Sequence, residues 1–280
     1  MLNGVMLLWF ILTLLSVLFV VIDIRSTPES KVLKWGFILL TAYTGPVGAF
    51  LYVLGCREPL QGLHERYVAA RWRQVLGSTM HCVAGDGVGI IVGAVMGSFL
   101  SLTMFKDIAL EYILGFGFGW TIFQALFMKN SMGGSYIGAL TGTFMSEFLS
   151  MNILMAGMIS LVSILRSVVS GADNPLHPEF WFVISMGLLL GFIAAYPMNW
   201  WLVSNHLKHG MLTIRPKGDT SDGDMPDHPN HEGGHSDGMK AETSHENKPG
   251  VSAFELLKMT VLSLVVLGFG LLIAYLFGNG

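Results

Sequence analysis

The sequence predicts an all-α, polytopic integral membrane helix bundle of about seven transmembrane helices, on three observations. Hydrophobic residues make up 52% of the 280 and charged residues only 12%, with a mean hydropathy of +0.58, the balance of a membrane protein. Apolar runs long enough to cross ~30 Å of hydrocarbon recur seven times between polar stretches. Inside one run Gly85, Gly89, Gly93 and Gly97 repeat every fourth residue, a stripe that lets a neighbouring membrane helix come close.

The first run covers about residues 4–24. It has neither the basic start nor the cleavage site of a signal peptide, so it is expected to remain as an anchor. The second covers about 36–54, with a kink expected at Gly45-Pro46. Residues 56–78 are a polar connector mixing Arg66, Arg71 and Arg73 with Tyr67, Val68, Trp72 and Val75, the pattern of an amphipathic helix on a membrane surface. The third run, Met80 to Met104, holds the glycine stripe, and the fourth, about 108–128, holds Gly115 and Gly119. The fifth, about 136–165, is long enough to tilt. The sixth and seventh cover about 180–203 and 251–277. The organisation is therefore two N-terminal spans (1–55), the connector (56–78), a four-helix membrane core (79–211), a loop (212–250) and a C-terminal span (251–280).

Seven crossings put the N-terminus and the long loop on one side of the membrane. Lys and Arg then divide ten to that side against five, the five being Arg25, Lys31, Lys34, Lys106 and Arg166. That excess favours it as cytoplasmic. The loop is rich in Asp, Gly, Ser, Pro and His with few large apolar residues, so it is expected to be disordered. Its His228, His231 and His235 suit weak, exchangeable binding of divalent transition metals. His231-Glu232-Gly233-Gly234-His235 has the letters of a zinc-protease motif, but two adjacent glycines argue against the helix that motif needs.

The remaining candidate ligands fall near the loop's face. Met80, His81 and Cys82 open the glycine helix, Asp86 follows one turn later, and His206 and His209 lie three apart after the sixth run. In the fifth run Glu147, Met151, Met155 and Met158 share one helical face. Thioethers and a thiol are soft ligands suited to copper(I). An ionisable group such as Asp86 or Glu147 within a span is costly and faces the bundle interior, where it balances charge or carries a coupled proton. A methionine stripe is also ordinary core filler. The two cysteines, Cys56 and Cys82, demand no disulfide. There is no basic nucleic-acid patch, no nucleotide-binding glycine loop and no nucleophile–base pair, so neither nucleic-acid binding nor enzymatic activity is expected.

His81-Cys82-x-x-Gly85 opening a glycine-rich helix, the polar and Met-bearing fifth run, and Pro197-Met198-Asn199-Trp200-Trp201 through Lys208-His209-Gly210-Met211 resemble an uncharacterised bacterial and archaeal family of multi-pass membrane proteins, a domain of unknown function, over about residues 78–211. The resemblance implies a membrane fold, a prokaryotic plasma membrane, no assigned activity and a loose association with copper handling.

The functional expectation is a membrane protein that binds or translocates a transition metal, copper favoured. The His-rich loop would feed an entry site of Met80, His81, Cys82, His206 and His209, and Met151, Met155 and Met158 would lead inward. Besides the bilayer and the metal ion, a second copy or a membrane-complex partner is a possible associate. Two alternatives stay open. A structural or assembly subunit would turn its intramembrane polar residues toward a partner rather than toward each other. A redox protein would hold haem between His81 and His206 or His209.

Overall fold

The computed structural model describes residues 2–57, 64–125, 135–208 and 251–278. His209, His228, His231 and His235 lie outside them. All regular structure among the described residues is helical: α1 (Leu2–Asp23), α2 (Lys31–Thr44), α3 (Pro46–Gly55), α4 (His64–Val68), α5 (Arg71–Phe99), α6 (Met104–Phe118) continuing into a π-helical segment (Gly119–Gln124), α7 (Tyr136–Val168), α8 (Pro178–Ser204) and α9 (Ala253–Gly278). Helix starts follow local chemistry. Ser30 and Ser135 cap α2 and α7 by accepting from the backbone N–H of Leu33 and Gly138. Pro178 sits in the first turn of α8, where its missing N–H is not needed.

Five helices, α1, α5, α7, α8 and α9, are long and apolar enough to cross a membrane, so the expected count of seven is not reached by length and composition. The most apolar stretches of α5, α7 and α8 are 61%, 67% and 56% buried, against 11% and 17% for α1 and α9. The first three form the core, and α1 and α9 turn apolar side chains outward as lipid-facing helices do. Within the core, α7 packs on α8, α5 on α6, and α9 on α7.

The second expected span is a helical hairpin rather than a kinked crossing. At Gly45 the chain takes φ 59°, ψ −136°, a conformation open chiefly to glycine. There α3 folds back on α2: the Phe37 and Tyr52 rings meet at 5.6 Å, and a Cβ on Gly48 would stand 2.6 Å from the Thr41 Cα. The apex reaches Thr13, halfway along α1. Both feet stay at the Asp23 end, where Tyr52 Oη donates to Asp23 Oδ2 (2.8 Å), Arg57 pairs with Asp23 (2.9 Å) and Lys34 Nζ donates to the Arg25 carbonyl (3.1 Å). A proline alone would bend one helix; glycine at positive φ reverses it.

The hairpin changes the arrangement of the ends. Trp9 Nε1 donates to Ser185 Oγ (3.1 Å) and its ring meets Phe182 edge-on, so the start of α1 lies beside the start of α8. Ser98 Oγ donates to the Asp173 carbonyl, and Gly278 packs on Met104, at that same end. The end of α8 and the start of α9 flank residues 209–252 at the opposite end, with Asp23 and Arg71. The N-terminus and the His-rich stretch therefore connect to opposite ends of the bundle, correcting the expectation of a shared side.

The glycine stripe lies against α6. Gly85 faces Phe123 and the Gly119 Cα, Gly89 faces the Leu114 carbonyl and Gly115 N, Gly93 faces the Glu111 backbone, and Gly97 faces the Asp107 carboxyl. A Cβ on Gly89 would stand 2.5 Å from the Leu114 carbonyl carbon, whereas one on Gly117 would meet nothing within 4 Å. Gly89→Ala should therefore cost about 1–3 kcal/mol, while Gly117→Ala should be neutral or gain up to ~1 kcal/mol. Thermal unfolding of the two variants in detergent checks this, and equal shifts would contradict the contact. For the ends, single cysteines at Asn3 and Ser252 should react with an impermeant maleimide from opposite faces of sealed vesicles, with buried Cys56 and Cys82 as unreactive background. Labelling from one shared face would restore the odd-span arrangement.

Candidate functional site

Cys82 is eleven residues past the start of α5, and Glu147 eleven past the start of α7. Each therefore lies roughly 16 Å along its helix, at matching depth below the end that flanks residues 209–252. Their side chains meet: Cys82 Sγ–H donates to Glu147 Oε2 at 3.2 Å. Lys208 completes the cluster. Its ammonium donates to Cys82 Sγ and to Glu147 Oε2, the latter at 3.3 Å, and the ion-paired side chains are 0% and 1% exposed.

How a lysine four residues beyond α8 reaches the interior is a matter of backbone geometry. His206 adopts φ 58° at the position after the C-cap Asn205. Leu207 N–H donates to the Leu202 carbonyl (3.0 Å) and His206 N–H to the Val203 carbonyl (3.2 Å). That pair of bonds is a Schellman closure with a left-handed residue in the place usually held by glycine. It reverses the chain and points Lys208 back into the bundle. Asn and His tolerate left-handed backbone better than bulky residues do.

Asp86 stands one turn beyond Cys82, fully buried, with its carboxyl pressed against Gly119 of the π segment, where a side chain would collide with it. Neither Asp86 oxygen nor Glu147 Oε1 accepts from an N–H or hydroxyl donor, and the two carboxyls lie close enough to hydrogen-bond to each other through a shared proton. The cluster thus brings together two carboxyl groups, one thiol and one ammonium. With both carboxyls ionised it carries one unbalanced negative charge, costly in a medium this dry. One further proton or monovalent cation removes it.

The other expected site residues have separate places. His81 is buried, its ring tilted against Phe123 at 5.7 Å, and its Nε2–H donates to the Phe123 carbonyl at 3.1 Å. The Met80 thioether turns toward Gly36 of α2, away from Cys82. Met151 packs on Gly115 of α6 and Met158 on Gly187 of α8, with Met155 buried in the same apolar core. These thioethers fill gaps between helices. His206 is exposed and serves the turn. Of the expected entry site, Met80, His81 and His206 thus stand apart from the Cys82–Glu147 contact, and His209 lies outside the described residues. Among the described residues, no three His, Cys, Asp or Glu side chains are grouped as a metal centre.

Sequence reasoning missed Lys208, which it counted as a loop charge, and Glu111, Asp107 and the Arg166 pairing at the other end. The signal for Lys208 was Asn205-His206 directly after a helix, two residues suited to a left-handed turn.

Residues 71–208 match the profile of a domain of unknown function (DUF4396). The match starts with the first residue of α5 and ends on Lys208, so it encloses Cys82, Asp86, Glu147 and their ammonium partner and leaves out α1 to α4 and α9. Searches of the curated proteins and of solved structures found no match.

Removing one partner from a buried ion pair strands a charge and costs about 3–5 kcal/mol, whereas removing both costs much less. Lys208→Met and Glu147→Gln should each lower stability by that order, and the double variant should recover a substantial part. A double-variant cycle by thermal unfolding measures the coupling, and strictly additive losses would contradict the pairing.

Proposed function

We propose that the protein binds, and passes through the membrane, a soft monovalent cation, with copper(I) the favoured cargo and Cys82 with Glu147 the central ligands. The carrying observation is the buried cluster itself: a soft sulfur donor and a carboxylate held 3.2 Å apart, bridged by an ammonium, beside the Asp86 carboxyl. In this reading the Lys208 ammonium is a tethered stand-in for the cargo, offsetting one of the two carboxyls when the site is empty. A monovalent cation that replaces the thiol proton leaves the buried charge unchanged; a divalent ion requires a second proton to leave. Sulfur ligation favours copper(I) over hard cations. The His-rich stretch lies in the segment that follows Lys208 and would raise the local metal concentration at this end.

Charge distribution supports a membrane setting and an orientation. Taking α6 with its π segment as a crossing, 21 residues spanning roughly 30 Å, the chain crosses six times and adds the α2–α3 hairpin. Arg25, Lys31, Lys34, Arg57, Arg66, Arg71, Arg73, Lys208 and Lys258 then fall at the loop-flanking end, against Lys106 and Arg166 at the other, nine to two among the described residues. The loop-flanking end is accordingly assigned to the cytoplasm of a plasma membrane. The subunit alternative weakens on one observation: intramembrane polar groups partner one another. Besides the cluster, Tyr112 Oη donates to Asn152 Oδ1 (2.6 Å), Asn152 Nδ2 to Ser263 Oγ (3.1 Å) and Asn199 Nδ2 to Ser150 Oγ (2.9 Å).

The test is silver(I) or copper(I) binding under reducing conditions to detergent-purified protein, intact and lacking residues 218–248. A tight site that survives the deletion, disappears in Cys82→Ser and strengthens about tenfold per pH unit as the thiol proton is displaced is the expected result. Binding unaffected by Cys82→Ser, or lost wholly with the loop, would overturn the assignment.

A further inference from the structure

We propose that a cavity at the N-terminal end of the bundle is a proton-exchange port whose loading group is Glu111. The cavity measures about 420 Å³, is enclosed by α5, α6, α7 and the end of α9, and has Asp107, Glu111, Ser163, Arg166 and Asp173 in its wall. Glu111 is 3% exposed and makes no ion pair or side-chain hydrogen bond among the described residues. Its backbone is pinned against Gly93, which fixes the carboxyl at the cavity wall.

The charges around it do not balance. Arg166 on α7 pairs with Asp107 Oδ2 at 3.4 Å on α6 and with Asp173 Oδ1 at 3.5 Å in the α7–α8 connection. Asp173, 81% exposed, is solvated by water, so the guanidinium serves Asp107 inside the fold. Asp107 Oδ1 is itself buried without a partner against Gly97. The faces of α5 and α9 add Gly97, Ser98, Phe277 and Gly278 to the lining, and no charge. Glu111 is left with no counter-charge of its own. A guanidinium in the same chamber repels metal cations, whereas a proton bonds to the carboxyl and abolishes its charge outright, so the ligand of this site is a proton. The site lies at the end opposite Cys82 and stands independently of the cation reading.

Dicyclohexylcarbodiimide, which reacts with protonated carboxyls in apolar surroundings, is the probe. Wild-type protein in detergent is treated across mildly acidic to mildly alkaline pH and its peptides are read by mass spectrometry, with solvent-exposed Glu255 as the control. Glu111 should be modified and its modification should fall about tenfold per pH unit above its midpoint, while Glu255 stays unmodified. An unmodified Glu111, or a modification indifferent to pH, would overturn the proposal. So would protection by sodium or potassium over choline at constant pH, which marks a metal-cation site instead.

Discussion

The backbone contact between α5 and α6 is the constraint on which both polar sites depend. Four glycines of α5 and two on the α6 side put a bare backbone at each close approach of the seam, so at Gly89 and Gly93 main chain touches main chain. The same absence of side chains makes room for charge. The Asp86 carboxyl fills the space over Gly119, and the Asp107 carboxyl fills the space over Gly97. Any side chain at either position would evict a carboxyl group. The seam is thus packing and chemistry at once, and the π segment that carries Gly119 also presents the Phe123 carbonyl to His81. A π turn at this point departs from the regular helix, as such turns often do beside functional groups.

Lys208 shows how a membrane bundle brings a cation to an interior acid without placing it on a spanning helix. The Schellman closure at the end of α8 reverses the chain within four residues, and the side chain then crosses from the bundle end to the level of Cys82. Its ammonium offsets one of two carboxyls there. At the far end Arg166 plays a similar part for Asp107. Each end of the bundle therefore carries one more interior acid than interior base, and the proposed cation and proton roles both derive from that shortfall. The two ends share α5, α6 and α7, all of which lie in the matched domain.

The α2–α3 hairpin reorganises the whole topology through one residue. With Gly45 at positive φ, the segment returns to the end it entered from, and every later helix runs opposite to the direction that a simple crossing would give it. The basic residues then collect at one end, where a simple crossing would have split them. Backbone geometry and charge placement thus agree in supporting the proposed orientation.

The sequence by itself determined the class and the seam. Composition and run length point to a helical membrane bundle, because continuous apolar runs of this length satisfy their backbone polar groups in lipid as helices. The four-residue glycine period announced a close helix contact, and Asp86 and Glu147 were legible as costly groups that must face inward. What periodicity does not encode is the partner across the gap. Whether Met80 joins Cys82 or turns to Gly36, and whether Met151 and Met158 line a path or fill space, depends on which neighbour each helix face meets. The hairpin was hidden because run length counts apolar residues without regard to the sign of φ at Gly45. Lys208 was hidden for the same reason: a left-handed residue at His206 decides whether the next lysine faces solvent or the interior. Those decisions belong to tertiary structure, where backbone reversal and packing fix distances that no local pattern carries.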